Sequence, residues 1–187
     1  MLDCSASIPA NHSKRLFVNI FRTIKLADLF TIANLACGVS AIFAAANDRY
    51  GLAAGLIVTA LVMDTFDGKV AKLMHQSNAF GKQLDSLADL ISFGVAPAFF
   101  YFSLHAPGLS LSLILVLFVV CGMLRLARYN ISEGEGFEGV PITVNGLVFP
   151  VLYLLYLLHP ASLVVWPAAY ASMSVLMVSS LRVKRLV

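Results

Sequence analysis

The feature that most constrains this chain is a series of apolar runs, each long enough to cross a membrane. A helix rises about 1.5 Å per residue, so about 20 apolar residues span a hydrocarbon core. Six stretches qualify: Leu26–Asn47, Gly51–Lys72, Phe80–Leu104, Leu109–Arg128, Thr143–His159 and Ser162–Arg182. Polar or turn-forming breaks separate them, among them Asn47-Asp48-Arg49 and Ala106-Pro107-Gly108. Barrel strands would alternate over about 10 residues, whereas these runs are longer and do not alternate. Of 187 residues, 59% are hydrophobic and only 12% charged, and the mean hydropathy is +0.86. That leaves too little polar surface to cover a soluble globule. A soluble enzyme, a disordered chain and a nucleic-acid-binding basic domain are excluded. The expected fold is an all-α integral membrane protein with six transmembrane helices.

The net charge of +3 says less than where the cations sit. With a cytoplasmic N-terminus, twelve of the thirteen Lys and Arg fall on the cytoplasmic side and only Arg49 falls outside. That asymmetry sets orientation and places both termini inside. Before the first span, Leu16, Phe17, Ile20, Phe21 and Ile24 recur at helical spacing among Lys14, Arg15, Arg22 and Lys25. Residues 1–25 therefore read as a segment with an interfacial amphipathic helix, and residues 26–187 as the transmembrane domain. Residues 1–13 lack the apolar run of a signal peptide, so the N-terminus is expected to be retained. Cys4, Cys37 and Cys121 show no metal-binding spacing.

Four of the ten acidic residues are placed where lipid should forbid them. Asp64 and Asp67 belong to the second span, Asp85 and Asp89 to the third. Spacings of three and four put each pair on one helix face. A short loop between antiparallel helices would bring the two faces together. Intramembrane ionisable residues mark function. Four neighbouring carboxylates cannot all remain charged unaided. Protons could neutralise some, as in a relay; alternatively, two divalent cations would balance all four. Oxygen ligands suit Mg²⁺, Mn²⁺ or Ca²⁺, and two metals held by carboxylates suggest phosphoryl transfer. Gly68 and Gly81 allow close approach of a substrate or another backbone. Lys69, Lys72 and Lys82 flank the cleft, as phosphate contacts or membrane-edge anchors.

The pattern Asp64-x-x-Asp67-Gly68-x-x-Ala71-Lys72, then eight residues, then Gly81-x-x-x-Asp85-x-x-x-Asp89 resembles the signature of the CDP-alcohol phosphotransferase family. One position departs: the family usually has Arg where this chain has Lys72. The six-helix plan with a preceding interfacial helix is also similar, so the resemblance spans nearly the whole chain. It implies a transferase using two divalent cations, Mg²⁺ or Mn²⁺, in which an alcohol attacks the lipid-side phosphorus of a CDP-activated lipid and CMP leaves. It implies Asp64, Asp67 and Asp85 as metal ligands, and Asp89 as a further ligand or the general base. Asn34, Gly68, Lys72, Asn78 and Gly81 would contact the CDP-lipid; Asn78 stands where the family usually has Ser or Thr. The resemblance also implies a homodimer and a multi-pass protein of the cytoplasmic membrane, its active site facing the cytoplasm.

Three flanking stretches, Ser92–Ala98, Gly122–Asn130 and Phe137–Thr143, resemble the phosphatidylserine synthase branch, including its archaetidylserine counterparts. The expected substrates are therefore CDP-diacylglycerol or CDP-archaeol and L-serine. Arg125 and Arg128, three apart, could clamp a serine carboxylate or a lipid phosphate. Glycerol 3-phosphate or inositol phosphate would use the same cations, so they remain alternative acceptors; cation or proton transport is a remote alternative. Glu133, Glu135 and Glu138 could meet the serine ammonium or stay solvated. Asn130, Thr143 and Asn145 read as polar groups at the cleft mouth, Tyr153, Tyr156 and Trp166 as lipid or interface packing. Pro97, Pro150 and Pro167 are expected to kink helices. Lysine keeps the charge of arginine but lacks its two-pronged fork. Lys72→Arg should therefore tighten CDP-diacylglycerol binding in a titration; unchanged or weaker binding would remove Lys72 from the nucleotide contact.

Overall fold

The structure, a computed structural model, describes residues 26–73, 79–131 and 139–179. The amphipathic segment expected over residues 1–25, Asn78, and Glu133, Glu135 and Glu138 lie outside the described residues.

Helix α1 (Leu26–Ala46) and helix α2 (Tyr50–Leu73) form an antiparallel pair. Thr31, Asn34, Gly38, Ala41 and Ala45 are buried along α1 at alternating spacings of three and four. On α2, Ala53, Ile57 and Ala60 are buried at the same spacing, and the stripe continues into Asp64 and Asp67. Lipid provides no hydrophobic drive between helices, so small residues at the seam gain contact by letting backbones approach. The seam is therefore mostly alanine toward the α1–α2 turn and polar toward the other end. Asp48 closes the turn in the left-handed conformation (φ 58°). Its amide and that of Arg49 donate to the carbonyls of Ala45 and Ala44, at 3.1 and 2.9 Å, capping α1.

The third crossing is continuous but irregular. Helix α3 (Ala79–Asp89) runs into a wide π-helical turn, Leu90–Val95, and then into helix α4 (Ala96–His105). Helix α5 (Leu109–Ile131) follows. A 3-10 turn at Ile142–Val144 leads into helix α6 (Asn145–Leu158), and another at Pro160–Val165 into helix α7 (Trp166–Val178). Among the described residues there is no strand, and five helices are long and apolar enough to cross a membrane. These match five of the six expected spans, with ends shifted by a few residues. The remaining one, Ile142–Leu158, is apolar but short. Its length, about 25 Å, falls below a hydrocarbon core of about 30 Å, so a sixth crossing stays a proposal.

The chain is membrane-embedded. Helix α5 exposes Leu113, Val116, Leu117, Val120 and Leu124 along one face, a band that only lipid or another apolar surface can cover. The interior is aromatic. Trp166 is fully buried and lies against Tyr101 (5.4 Å between ring centroids) and Phe100 (6.1 Å). This corrects the expectation of lipid or interface packing for Trp166 and Tyr153, because both are buried and pack on Phe100. Pro150 lies inside α6, whereas Pro97 and Pro167 occupy the first turns of α4 and α7, where a missing N–H is tolerated.

Gly38 is where α1 approaches the third crossing most closely. A Cβ on Gly38 would collide with Ser92 Oγ and lie 2.8 Å from Ser92 Cα, whereas one on Gly55 meets nothing within 4 Å. Gly38→Ala should destabilise by about 1–3 kcal/mol through overpacking. Gly55→Ala should stabilise by up to about 1 kcal/mol through helix propensity. Thermal unfolding in detergent separates the two, and equal midpoints would refute the close contact.

Candidate active site

The polar end of the α1–α2 seam carries the site. Asp64 and Asp67 extend the buried stripe of α2, so the register that packs alanines nearer the turn turns two carboxylates inward here. Asp85 and Asp89, one helical turn apart on α3, face them. One carboxylate oxygen from each of Asp64, Asp67 and Asp85 lies within 4.8 Å of the others. Asp89 sits beside this trio, within the field of Asp64 and Asp85. Of the four acids expected to converge, three form this cluster and Asp89 adjoins it.

Helix α1 supplies the counter-groups. Thr31 Oγ1 donates to Asp67 Oδ2 at 2.9 Å, and Asn34 Nδ2 donates to Asp89 Oδ1 at 3.1 Å. Both residues are buried. Thr31 is a member of the site that sequence reasoning missed. Its signal was the spacing Thr31, Asn34, Gly38, which puts it on the face already assigned to Asn34. Two oxygens remain buried without a partner, Asp85 Oδ1 and Asn34 Oδ1. A buried acceptor without a donor is costly, and an added ligand or cation would satisfy it. The trio offers hard oxygen donors at a spacing that fits a divalent cation. Among the described residues, this is the one cluster of three or more His, Cys, Asp or Glu able to hold a metal.

The cations divide among different tasks. Arg125 is buried on α5, within the field of Asp89 and 5.6 Å from the Tyr129 ring. Arg128 points elsewhere, donating through Nη1 to the carbonyl of Val178 at 3.4 Å, at the end of α7. The contacts described for the two arginines differ, Tyr129 for Arg125 and the Val178 carbonyl for Arg128. Lys82, considered as a phosphate contact, donates to the carbonyls of Tyr129 and Asn130 at 3.2 and 3.3 Å and lies over the Tyr129 ring. It caps the C-terminal end of α5, where carbonyls lack helical partners. Ser86 and Asn130 add a hydrogen bond between the same helices, 3.0 Å from Nδ2 to Oγ.

Other sequence candidates fall around the cluster. Gly68 is exposed, and a Cβ there would meet nothing within 4 Å, so a ligand has room. Gly81 is half-buried on α3, and Lys72 lies in the last turn of α2. Asn145 is not at the cleft mouth. It is fully buried and bonds the carbonyl of Phe93, because the turn entering α6 points it inward.

The CDP-alcohol phosphatidyltransferase family pattern matches residues 24–182. The chain is 38% identical over 137 residues to the CDP-diacylglycerol–serine O-phosphatidyltransferase of Helicobacter pylori, covering 68% of this chain and 56% of that protein. It is 35% identical over 169 residues to the archaetidylserine synthase of Methanothermobacter thermautotrophicus, covering 87% of this chain and 70% of that protein. A Bacillus subtilis protein, also named a CDP-diacylglycerol–serine O-phosphatidyltransferase, is 34% identical over 158 residues, covering 82% of this chain and 86% of its own length. The chain therefore spans just over half the length of the Helicobacter relative and most of the Bacillus one.

Mutual repulsion of the carboxylates generates a prediction. Asp85→Asn should raise the thermal midpoint in EDTA, since one like charge is removed. Wild type should gain stability as Mg²⁺ or Mn²⁺ is added, by about 2.7 kcal/mol at 100 times the dissociation constant, and the variant should gain much less. A wild-type midpoint indifferent to either cation would argue against a metal site.

Proposed function

Because the chain belongs to the CDP-alcohol phosphatidyltransferase family, we propose that it transfers the phosphatidyl or archaetidyl group of a CDP-activated lipid to the hydroxyl of L-serine, releasing CMP. The observation that carries this is the cluster of Asp64, Asp67 and Asp85, with Asp89 in their field, at the polar end of the seam. Serine as acceptor is supported by the names of the relatives from bacteria and an archaeon.

Asp64, Asp67 and Asp85, with Asp89 at their edge, would hold two divalent cations, Mg²⁺ or Mn²⁺. When bound, these neutralise pyrophosphate charge and stabilise the leaving phosphate. The chain's own groups account for the rest. Asp89 takes the proton of the acceptor hydroxyl as the oxygen–phosphorus bond forms, and the phosphorus–oxygen bond to CMP breaks. A base must lie within about 3 Å of the proton it removes, and Asn34 restrains Asp89 by holding one of its oxygens. Thr31 restrains Asp67 in the same way. Arg125 would receive the serine carboxylate, because a buried guanidinium pairs strongly with a planar anion. Tyr129 limits the positions that guanidinium can take. Gly68 and Lys72 would meet the CDP moiety.

Transport fits poorly. A conducting path needs polar groups through the bundle, yet beyond Gly38 the α1–α2 seam is closed by Ala41, Ala45, Ala53, Ile57 and Ala60, all buried. We place the active site at the cytoplasmic face of the cytoplasmic membrane, on the charge asymmetry, and read the working unit as a homodimer, on the family resemblance.

Purified protein incubated with CDP-diacylglycerol, Mn²⁺ and one alcohol at a time should release CMP with serine. Release with glycerol 3-phosphate or inositol phosphate but not serine would overturn the acceptor. Asp89→Asn should lower turnover by at least about 100-fold if the base contributes its usual share, while CDP-lipid binding persists. Wild-type turnover in that variant would remove Asp89 from the chemistry.

A further inference from the structure

The wide turn at Leu90–Val95 starts at the residue after Asp89. The amide of Ala96 donates five residues back, to the carbonyl of Ile91. Turns of this kind are rare, weaken the helix locally and gather at functional sites. Two hydrogen bonds tie it to other helices, one from the Asn145 side chain of α6 and one from its own Ser92 to the backbone of α1. In a regular helix the Phe93 carbonyl would receive the amide of residue 97, but that residue is Pro97, which has none. Asn145, fully buried at the start of α6, fills the role: its Nδ2 donates to Phe93 O at 3.2 Å. Ser92, in the same turn, donates to the carbonyl of Asn34 at 3.1 Å. Asn34 in turn holds the Asp89 carboxylate. A closed path therefore runs from Asp89 through the turn to Ser92, to Asn34 and back to Asp89, and Asn145 anchors its far side.

Asn145 is an expensive choice for this place. Its Oδ1 is buried without a partner, and its other contact is the Met177 sulfur at 3.7 Å. A residue selected for packing alone would be apolar, since an orphaned buried acceptor costs stability.

We propose that Asn145 is a positioning residue for the phosphatidyl transfer: by occupying the carbonyl that Pro97 leaves free, it fixes the wide turn and so aims Asp89 at Asn34 and the other three carboxylates. This rests on the reading of Asp89 as the base.

The test uses the full chain in detergent or nanodiscs with CDP-diacylglycerol, serine and Mn²⁺. Asn145→Leu should lower kcat by about 10- to 100-fold, the range for residues that orient a ligand-bearing side chain. KM for CDP-diacylglycerol should stay within a few-fold, and the thermal midpoint should not fall in proportion. Adding Pro97→Ala, which restores a backbone donor for Phe93, should recover most of the lost kcat. A second readout avoids turnover: the Mn²⁺ concentration giving half of the cation-induced thermal stabilisation should rise in Asn145→Leu. If that variant does not fold, Ser92→Ala removes the other tether and should show the same split between kcat and KM. Wild-type kcat and Mn²⁺ response in the folded variant would overturn the proposal, as would a loss that Pro97→Ala leaves unchanged. Failure of the functional reading is distinct: the wild type itself would release no CMP, and the Mn²⁺ response would then decide the role of Asn145.

Discussion

Lipid cannot solvate a carboxylate, so each charge inside this bundle must be solvated by the protein around it. The rest of the structure follows from how that is done. Asp67 and Asp89 receive their hydrogen bonds from Thr31 and Asn34, both on α1. Short polar side chains reach only a short way, so α1 must lie close to both α2 and α3. Alanines along the seam permit the first approach, and Gly38, seated on Ser92, permits the second. A larger residue at either place would separate the helices and leave the carboxylates without donors. The small-residue packing and the acidic site are thus one arrangement seen at two heights in the bundle.

That solvation is incomplete on the protein side alone. Four carboxylates meet one buried guanidinium among the described residues, and Asp85 Oδ1 and Asn34 Oδ1 have no donor. A structural polar cluster would be expected to satisfy its members, because half-satisfied networks are worse than apolar packing. The imbalance makes sense for a site whose remaining partners arrive as ligands. It also explains why the surrounding helices are tied so firmly. Ser86–Asn130, Lys82 on the end of α5, and Ser92–Asn34 are all bonds between helices within about one turn of the acids.

The sequence showed the fold class and the acidic site because both depend on local periodicity. Runs of spanning length and pairs of acids three or four apart can be read without knowing any partner, and the stripe of α2 passes in step from Ala53 to Asp67. What was not legible depends on residues far apart in the chain. The wide turn is set by Pro97, but its stability comes from Asn145, 52 residues beyond the carbonyl it binds. Asn145 read as a cleft-mouth group because its polarity was visible and its burial was not. Trp166 reads as lipid or interface packing for the related reason that an amphipathic ring suits an interface as readily as a stack on Phe100 and Tyr101.

The cations sharpen the same distinction. From their positions Lys82, Arg125 and Arg128 count equally toward orientation, and all three lie at one end of the bundle. In the structure Lys82 and Arg128 bind carbonyls at the ends of α5 and α7, where the helix dipole is negative. Arg125 alone is buried toward the acids. A positive charge at a cytoplasmic helix end thus serves topology and capping together, since the same carbonyls lie where the chain must carry its positive charge. Arg125 shares the topological role, but capping does not account for its burial. Its burial costs desolvation that capping would not require, and its guanidinium carbon lies 5.6 Å from the centre of the Tyr129 ring, in the field of Asp89. A guanidinium held in that way, beside an acid that must accept a proton, is suited to receive an anionic acceptor whose hydroxyl then lies near Asp89.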